Sequence, residues 1–163
     1  MQTILVTGGL GYIGSHTVVE LINAGYTPII VDNLSNSKLE VLDRIEKITQ
    51  VKLVFYESDI QDNSAITKIL NQYRVDGVIH FAALKAVGES VQMPLEYYRN
   101  NVSGSIGLFE QLRQHNIKTI VFSSSATVYG DPKSVPITED FPLQPTNPYG
   151  WTKFMIEQVL RDL

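Results

Sequence analysis

A tyrosine and a lysine four residues apart are the plainest chemistry in this sequence: Pro148-Tyr149-Gly150-Trp151-Thr152-Lys153. On a helix, positions i and i+4 share a face, so a phenol at the helix start would stand beside an ammonium one turn on. A free phenol ionises near pH ~10 and is a poor base at neutrality, but a neighbouring cation favours its ionised form. Such a pair can act as a general base toward an alcohol hydroxyl. The spacing occurs twice, because Tyr129 and Lys133 repeat it. Pro132 falls inside that second pair, where it has no N–H to donate and biases Asp131 away from the helical region. Tyr149 instead follows Pro148, a residue tolerated at helix starts, and no proline comes after it. Tyr149 and Lys153 are the expected pair.

A base of this kind needs a partner that relays the proton or holds the reacting oxygen. Ser123, Ser124 and Ser125 run off an expected strand in "FSSSATVYG". Ser125, the furthest past the strand end, is the expected partner; a serine-rich turn without catalytic work fits the same letters. A ligand to act on is suggested at the other end of the chain. "LVTGGLGYIGSH" places Gly8, Gly11 and Gly14 between an expected strand and an expected helix. In that setting the first glycine makes the turn, the second lets a pyrophosphate approach the helix N-terminus, and the third allows close packing. The spacing is G-x-x-G-x-x-G rather than G-x-G-x-x-G. Asp32 closes the next strand, where a carboxylate accepts hydrogen bonds from ribose hydroxyls and repels a 2′-phosphate, which favours NAD over NADP. Asp59 and Ile60 follow the third strand, although Asp59 serves equally well as a helix N-cap. Ala82 and Ala83 suit a flat ring or ordinary core packing. His16, His80 and His115 show no metal-ligand spacing, so no metal site is expected.

These residues need a scaffold, and β-rich runs alternating with helical patterns provide it. Strands are expected at Thr3–Thr7, Ile29–Asp32, Leu53–Tyr56, Gly77–Phe81 and Thr119–Ser123. Helices are expected at Tyr12–Ala24, Lys38–Thr49, Asn63–Tyr73, Pro94–His115 and Tyr149–Leu163. Several of the strands are continuously apolar, as strands covered on both faces are. The order predicts an α/β, doubly wound parallel sheet with right-handed crossovers, Rossmann-like in character. A proline-rich stretch from Ser124 to Pro148 is expected as a long, functional loop. With 163 residues, 44% of them hydrophobic and 18% charged, the chain has the size of one domain with a sizeable core. A net charge of −4 without a Lys/Arg cluster argues against nucleic acid. No apolar run approaches a membrane span. Zero cysteines fit a reducing cytoplasm. The last helical pattern reaches Leu163 without a stop signal, so the chain reads as the N-terminal part of something longer.

Six segments in order, "TGGLGYIGSH", "DNLSNSK", "HFAALKAVGESV", "YYRNNVSG", "SSSATVYGD" and "NPYGWTK", resemble the extended short-chain dehydrogenase/reductases. The resemblance is to those members that epimerise nucleotide sugars. It implies interconversion of UDP-glucose and UDP-galactose, with a tightly held NAD reduced and reoxidised in each turnover. Tyr12 and Ile13 would meet the pyrophosphate. Asp32, Asn33, Leu34, Ser35, Asn36 and Ser37 would surround the adenosine, with Asp59 and Ile60 near the adenine. Phe81, Ala82, Ala83, Leu84, Lys85 and Asn100 would line the dinucleotide, Lys85 also reaching the sugar nucleotide. Ser123 would border the nicotinamide, and Lys153 would bond its ribose. Ser125 and Tyr149 would face the hexose C4 hydroxyl, where Tyr149 removes the proton as hydride leaves C4. Related 4,6-dehydratases carry an Asp-Glu pair in place of Ala126–Thr127, and related decarboxylases a Glu at Thr127. The family runs to about twice this length, which implies an NAD-binding domain over residues 1–163 and a C-terminal substrate domain that the chain lacks. A homodimer, paired through the Pro94–His115 helix, is implied too. Other readings are another NAD-dependent nucleotide-sugar epimerase, or a nucleotide-binding module with no activity of its own.

Overall fold

Aliphatic and β-branched runs at regular intervals become five parallel strands. The structure, a computed structural model, describes all 163 residues. Strands β1 (Thr3–Thr7), β2 (Thr27–Asp32), β3 (Val54–Glu57), β4 (Gly77–His80) and β5 (Ile120–Phe122) form one sheet. Their order is β3-β2-β1-β4-β5, and each neighbouring pair is parallel. The chain moves outward from β1 to β3, then returns to place β4 on the other side of β1. That reversal makes the sheet doubly wound and Rossmann-like, and ligands of such sheets bind beyond the strand ends at the reversal. The chain divides into two compact units, Met1–Ala82 with Gly107–Ser123, and Ala83–Ile106 with Ser124–Leu163.

The first unit holds the sheet. Between its strands lie α1 (Tyr12–Asn23), α2 (Glu40–Thr49), α3 (Asn63–Gln72) and the body of α6 (Gly104–Gln114). Side chains alternate along a strand. Val6 and Ile30 therefore face one way, into a cluster with Leu10, Val18 of α1 and Ile45 of α2. Leu5 and Thr7 face the other way, and His80, paired with Thr7 in register, meets the ring of Phe109 on α6. On that side α3 and α6 are joined by Thr67–Gln111 at 2.6 Å, and His115, just past the end of α6, meets Asn71 of α3 at 3.1 Å. Burying each aliphatic side chain contributes about 1.5–3 kcal/mol, so two covered faces hold the sheet firmly.

The second unit is helical. It contains α4 (Val87–Gln92), α5 (Pro94–Tyr97), a π-helical turn (Tyr98–Ser103) leading into α6, a 3₁₀ turn (Ala126–Tyr129) and α7 (Pro148–Asp162). Helix α7 packs against α4, α5 and both turns. Where the pattern predicts one helix over Pro94–His115, the chain takes a π-helical turn in the middle. Asn101, fully buried there, donates to Leu84 O at 2.9 Å and accepts from Leu84 N at 2.8 Å. Helix α4, unpredicted, is held by Tyr97, whose phenol bonds Glu89 at 2.6 Å and Ala86 N at 3.0 Å. No helix is long and apolar enough to cross a membrane.

Candidate active site

The glycine loop is built by contact. Gly8 leaves β1 at φ +68°, and its N–H donates to Val31 O at 2.8 Å. A Cβ at Gly8 would meet Ala82 N at 2.7 Å. A Cβ at Gly14 would lie 2.2 Å from Gly8 O, so loop and helix touch where only hydrogen fits. Gly11 caps α1, with no side chain bonded to the first turn and no acidic residue in it. The first-turn N–H groups and the positive end of α1 are thus left for an anion. Tyr12 and Ile13 flank that turn, 78% and 59% exposed.

Asp32, nearly buried, braces this loop. Its Oδ2 accepts from Leu10 N at 3.0 Å, and its Oδ1 accepts from Leu34 N at 3.0 Å and Ser37 Oγ at 2.7 Å. Asn33 donates to Asp59 Oδ2 at 2.7 Å and holds Ser35 through its own Oδ1, while Leu34 takes φ +58°. The residues from Asp32 to Ser37 are one hydrogen-bonded loop joined to Asp59, with Ile60 buried beneath. Asp59 does not cap α3. Asp62 does, accepting from Ser64 N at 3.1 Å and Ala65 N at 3.0 Å, and it is the residue next to the helix start. A cavity of about 550 Å³ opens where Leu10–Tyr12 faces Asn36–Lys38, between α1 and α2.

At the end of β4, Phe81 N donates to Thr7 O at 3.0 Å and Ala82 N reaches Thr7 Oγ1 at 3.4 Å. Thr7 Oγ1 also meets His80 Nδ1 at 2.6 Å, both side chains buried. Ser123 N donates to His80 O at 3.1 Å. Thr7 bears no sequence signal beyond its place at a strand end, and only the parallel register reveals this brace.

The second unit carries the tyrosine–lysine pair. Asn147 caps α7, its Oδ1 accepting from Gly150 N at 2.8 Å, and Pro148 opens the helix. Tyr149 N donates to Ser90 Oγ at 3.2 Å. Lys153 Nζ lies 5.9 Å from the centre of the Tyr149 ring, on the same face. Lys153 is 3% exposed, and burial pushes its ammonium down to about 8. Thr152 Oγ1 donates to Tyr149 O at 2.7 Å and accepts from Asn101 Nδ2 at 3.1 Å. Asn101 thereby ties the start of α7 to Leu84, between Ala83 and Lys85. Asn100 donates to Asn101 Oδ1 at 2.9 Å, and Lys85 is exposed. Sequence reasoning named Asn100 and missed Asn101, whose only signal is the doubled asparagine.

Ser125 Oγ accepts from Thr127 N at 3.2 Å and from Thr127 Oγ1 at 2.9 Å, capping the 3₁₀ turn. That turn ends at Gly130, with φ +63°, so Tyr129 and Lys133 share no helix. The Tyr129 phenol is pushed up, first by burial and then by the carboxylates of Glu139 and Glu157. It is thereby disfavoured as a base. Of the two tyrosine–lysine pairs, only the second stands on one helix face.

The model of the family described as GDP-mannose 4,6 dehydratase matches residues 5–163. The chain belongs to this family. The UDP-glucose 4-epimerase of Dictyostelium discoideum is 59% identical over 160 residues, covering 98% of this chain and 46% of the relative. That of Bacillus subtilis is 59% identical over 162 residues, covering 99% and 48%. The crystal structure of the UDP-glucose 4-epimerase from Bifidobacterium longum, in complex with NAD+ and UDP, matches with a TM-score of 0.97 at 50% identity, covering 99% of this chain and 48% of that one. The chain spans about half the length of the curated relatives it matches.

Proposed function

We propose that this chain is the cofactor-holding part of an NAD-dependent epimerase that interconverts UDP-glucose and UDP-galactose at C4 of the hexose. The observation that carries the reading is the α7 face, with Tyr149 beside the buried cation of Lys153. The family description names a dehydratase. However, Ala126–Thr127 offers no carboxylate for eliminating water, and the relatives at 59% identity are named epimerases.

The residues fit NAD. The uncapped start of α1, with glycines where a Cβ would collide, is a cradle for a pyrophosphate. Three donors occupy the Asp32 carboxylate, whose oxygens offer about four acceptor sites, so a ribose hydroxyl can take the remainder. Asn33, Asp59 and Ile60 border the adenine in this reading, and Phe81, Ala82, Ala83, Leu84, Lys85, Asn100 and Ser123 the rest of the dinucleotide. When bound, NAD supplies a hydride acceptor that later becomes the donor.

The protein's own part is to hold and move a proton. Tyr149, as phenolate, takes the proton from the C4 hydroxyl. Lys153 stabilises that phenolate and bonds the nicotinamide ribose. Ser125 holds the C4 oxygen as it becomes a carbonyl, and Tyr149 returns the proton after the 4-keto sugar has turned. Uridine diphosphate is gripped by a further domain, carried in the other half of the relatives' length. In this reading the full-length form is a cytoplasmic homodimer, paired through the helix that opens at Pro94, where Leu95 is 70% exposed.

The test uses the chain extended to its relatives' length, assayed for conversion of UDP-galactose. Tyr149→Phe lowers turnover at least ~100-fold, the scale of a lost general base, while Tyr129→Phe does far less. The reverse order overturns the assignment.

A further inference from the structure

The face of α7 that begins with Tyr149 and Lys153 continues, one turn further, to Glu157. Ser124 Oγ donates to one carboxylate oxygen of Glu157, and the other takes Arg161 at 3.2 Å. The Glu157 side chain is 19% exposed, that of Arg161 58%. An ion pair so exposed on the arginine side contributes little by itself. The bond to Ser124 is of another kind, because it links the serine segment to a helix 33 residues away in sequence. The same segment touches α7 at a second point. Thr127 O sits so close to Gly150 that a Cβ there would lie 2.9 Å from it. Ser125 stands between these two points, with its backbone extended at φ −152° and ψ 145°.

We propose that Glu157 is a positioning residue for the epimerisation assigned above. By accepting the Ser124 hydroxyl, it locks the serine segment onto α7 and sets Ser125 in register with Tyr149. This separates the work of the neighbouring serines: Ser124 is the anchor, and Ser125 keeps its hydroxyl at the turn. The negative charge of Glu157 also bears on Tyr129, whose phenol it helps to push up. Glu157 thus bonds the segment at Ser124 and acts through its charge on Tyr129. The proposal rests on the epimerase reading for its effect on turnover, and on geometry alone for the anchor.

The experiment compares Glu157→Ala, Glu157→Gln, Ser124→Ala and the double variant Ser124→Ala/Glu157→Ala in the full-length protein. A displacement of a reacting group by about 1 Å costs up to ~100-fold, so Glu157→Ala lowers kcat by roughly 10- to 100-fold. KM for UDP-galactose and the amount of retained NAD stay unchanged. Glu157→Gln keeps an oxygen for Ser124 and restores most of the loss. Ser124→Ala matches Glu157→Ala, and the double variant loses no more than either, as residues acting through one bond do. Arg161→Ala leaves turnover unaltered. A second readout is independent of activity: the amide chemical shifts of Ser125 and Thr127 move alike in Ser124→Ala and Glu157→Ala. Additive losses, a raised KM at constant kcat, or unmoved shifts overturn the anchor. A protein that never converts UDP-galactose but shows the shared shifts overturns the functional reading and supports the anchor.

Discussion

Lys153 sits where an ammonium has lost nearly all its water, and burial pushes it from an ordinary lysine value near 10.5 to about 8. Its folded value is the depressed one, so between pH 8 and 10.5 the unfolded chain binds more protons than the folded one. Stability therefore rises with pH across that window. From pH 7 to 9.5 the gain is about 2 kcal/mol, by the conversion of ~1.4 kcal/mol per unit. Above pH 10 the opposite sign sets in at Tyr97, which burial and Glu89 push up to about 12. Urea unfolding of the cofactor-free chain, followed from pH 7 to 9.5 and compared with Lys153→Met, isolates the lysine. A wild-type slope no steeper than that of the variant refutes the burial argument. The same burial suits the proposed chemistry, since a desolvated cation acts more strongly on a phenolate beside it than a hydrated one does. Spacing made this pair legible in the sequence, and Pro132 excluded its rival. Burial was not legible, because it depends on what α4, α5 and the π-helical turn lay against α7.

Among the elements, two glycines in helices have opposite meanings. At Gly14 an added methyl would lie 2.2 Å from Gly8 O and 2.9 Å from Gly9 Cα, both backbone. Gly14→Ala thus destabilises the first unit by at least the ~1–3 kcal/mol of an overpacked site, because a backbone cannot turn aside as a side chain can. At Gly88, in α4, nothing lies within 4 Å of the added methyl. Gly88→Ala stabilises by roughly 0.5–1 kcal/mol through backbone entropy. Urea midpoints of the two variants should move in opposite directions, and a shared direction contradicts the contact geometry. The glycine loop was readable because strand, turn and helix each leave a local mark. Helix α4 and the π-helical turn were not. The first is a six-residue helix held by the phenol of Tyr97, eight residues from Glu89. The second exists where Asn101 bonds Leu84 and Thr152, contacts spanning 17 and 51 residues that no local pattern encodes. Asp62 replaced Asp59 as the cap of α3 for a simpler reason. Two aspartates stand three apart before one helix, and only the nearer can reach its first-turn N–H groups.

At the scale of the whole molecule, the parallel, doubly wound sheet was legible from apolar runs alternating with helical patterns, whereas the order β3-β2-β1-β4-β5 was not, because neighbours such as β1 and β4 lie far apart in sequence. In the epimerase reading, catalysis also needs a grip on the uridine diphosphate. The chain spans about half of the relatives it matches, and in that reading the other half supplies the grip. Hydride transfer needs the sugar carbon held ~3–3.5 Å from its acceptor, and such orientation supplies roughly 7–11 kcal/mol of rate enhancement. Much of the energy that fixes the geometry comes from remote parts of a substrate, in the epimerase reading the nucleotide. The proposed cofactor cradle asks for none of that, since the start of α1, Asp32 and Asn33 are all built from residues of this chain. The 163-residue chain should therefore bind NAD, detectable by titration calorimetry, yet leave UDP-galactose unconverted when NAD is added. Conversion within tenfold of a full-length form would place the whole active site within Met1–Leu163. It would also show that the grip on the uridine diphosphate is unnecessary for turning the sugar.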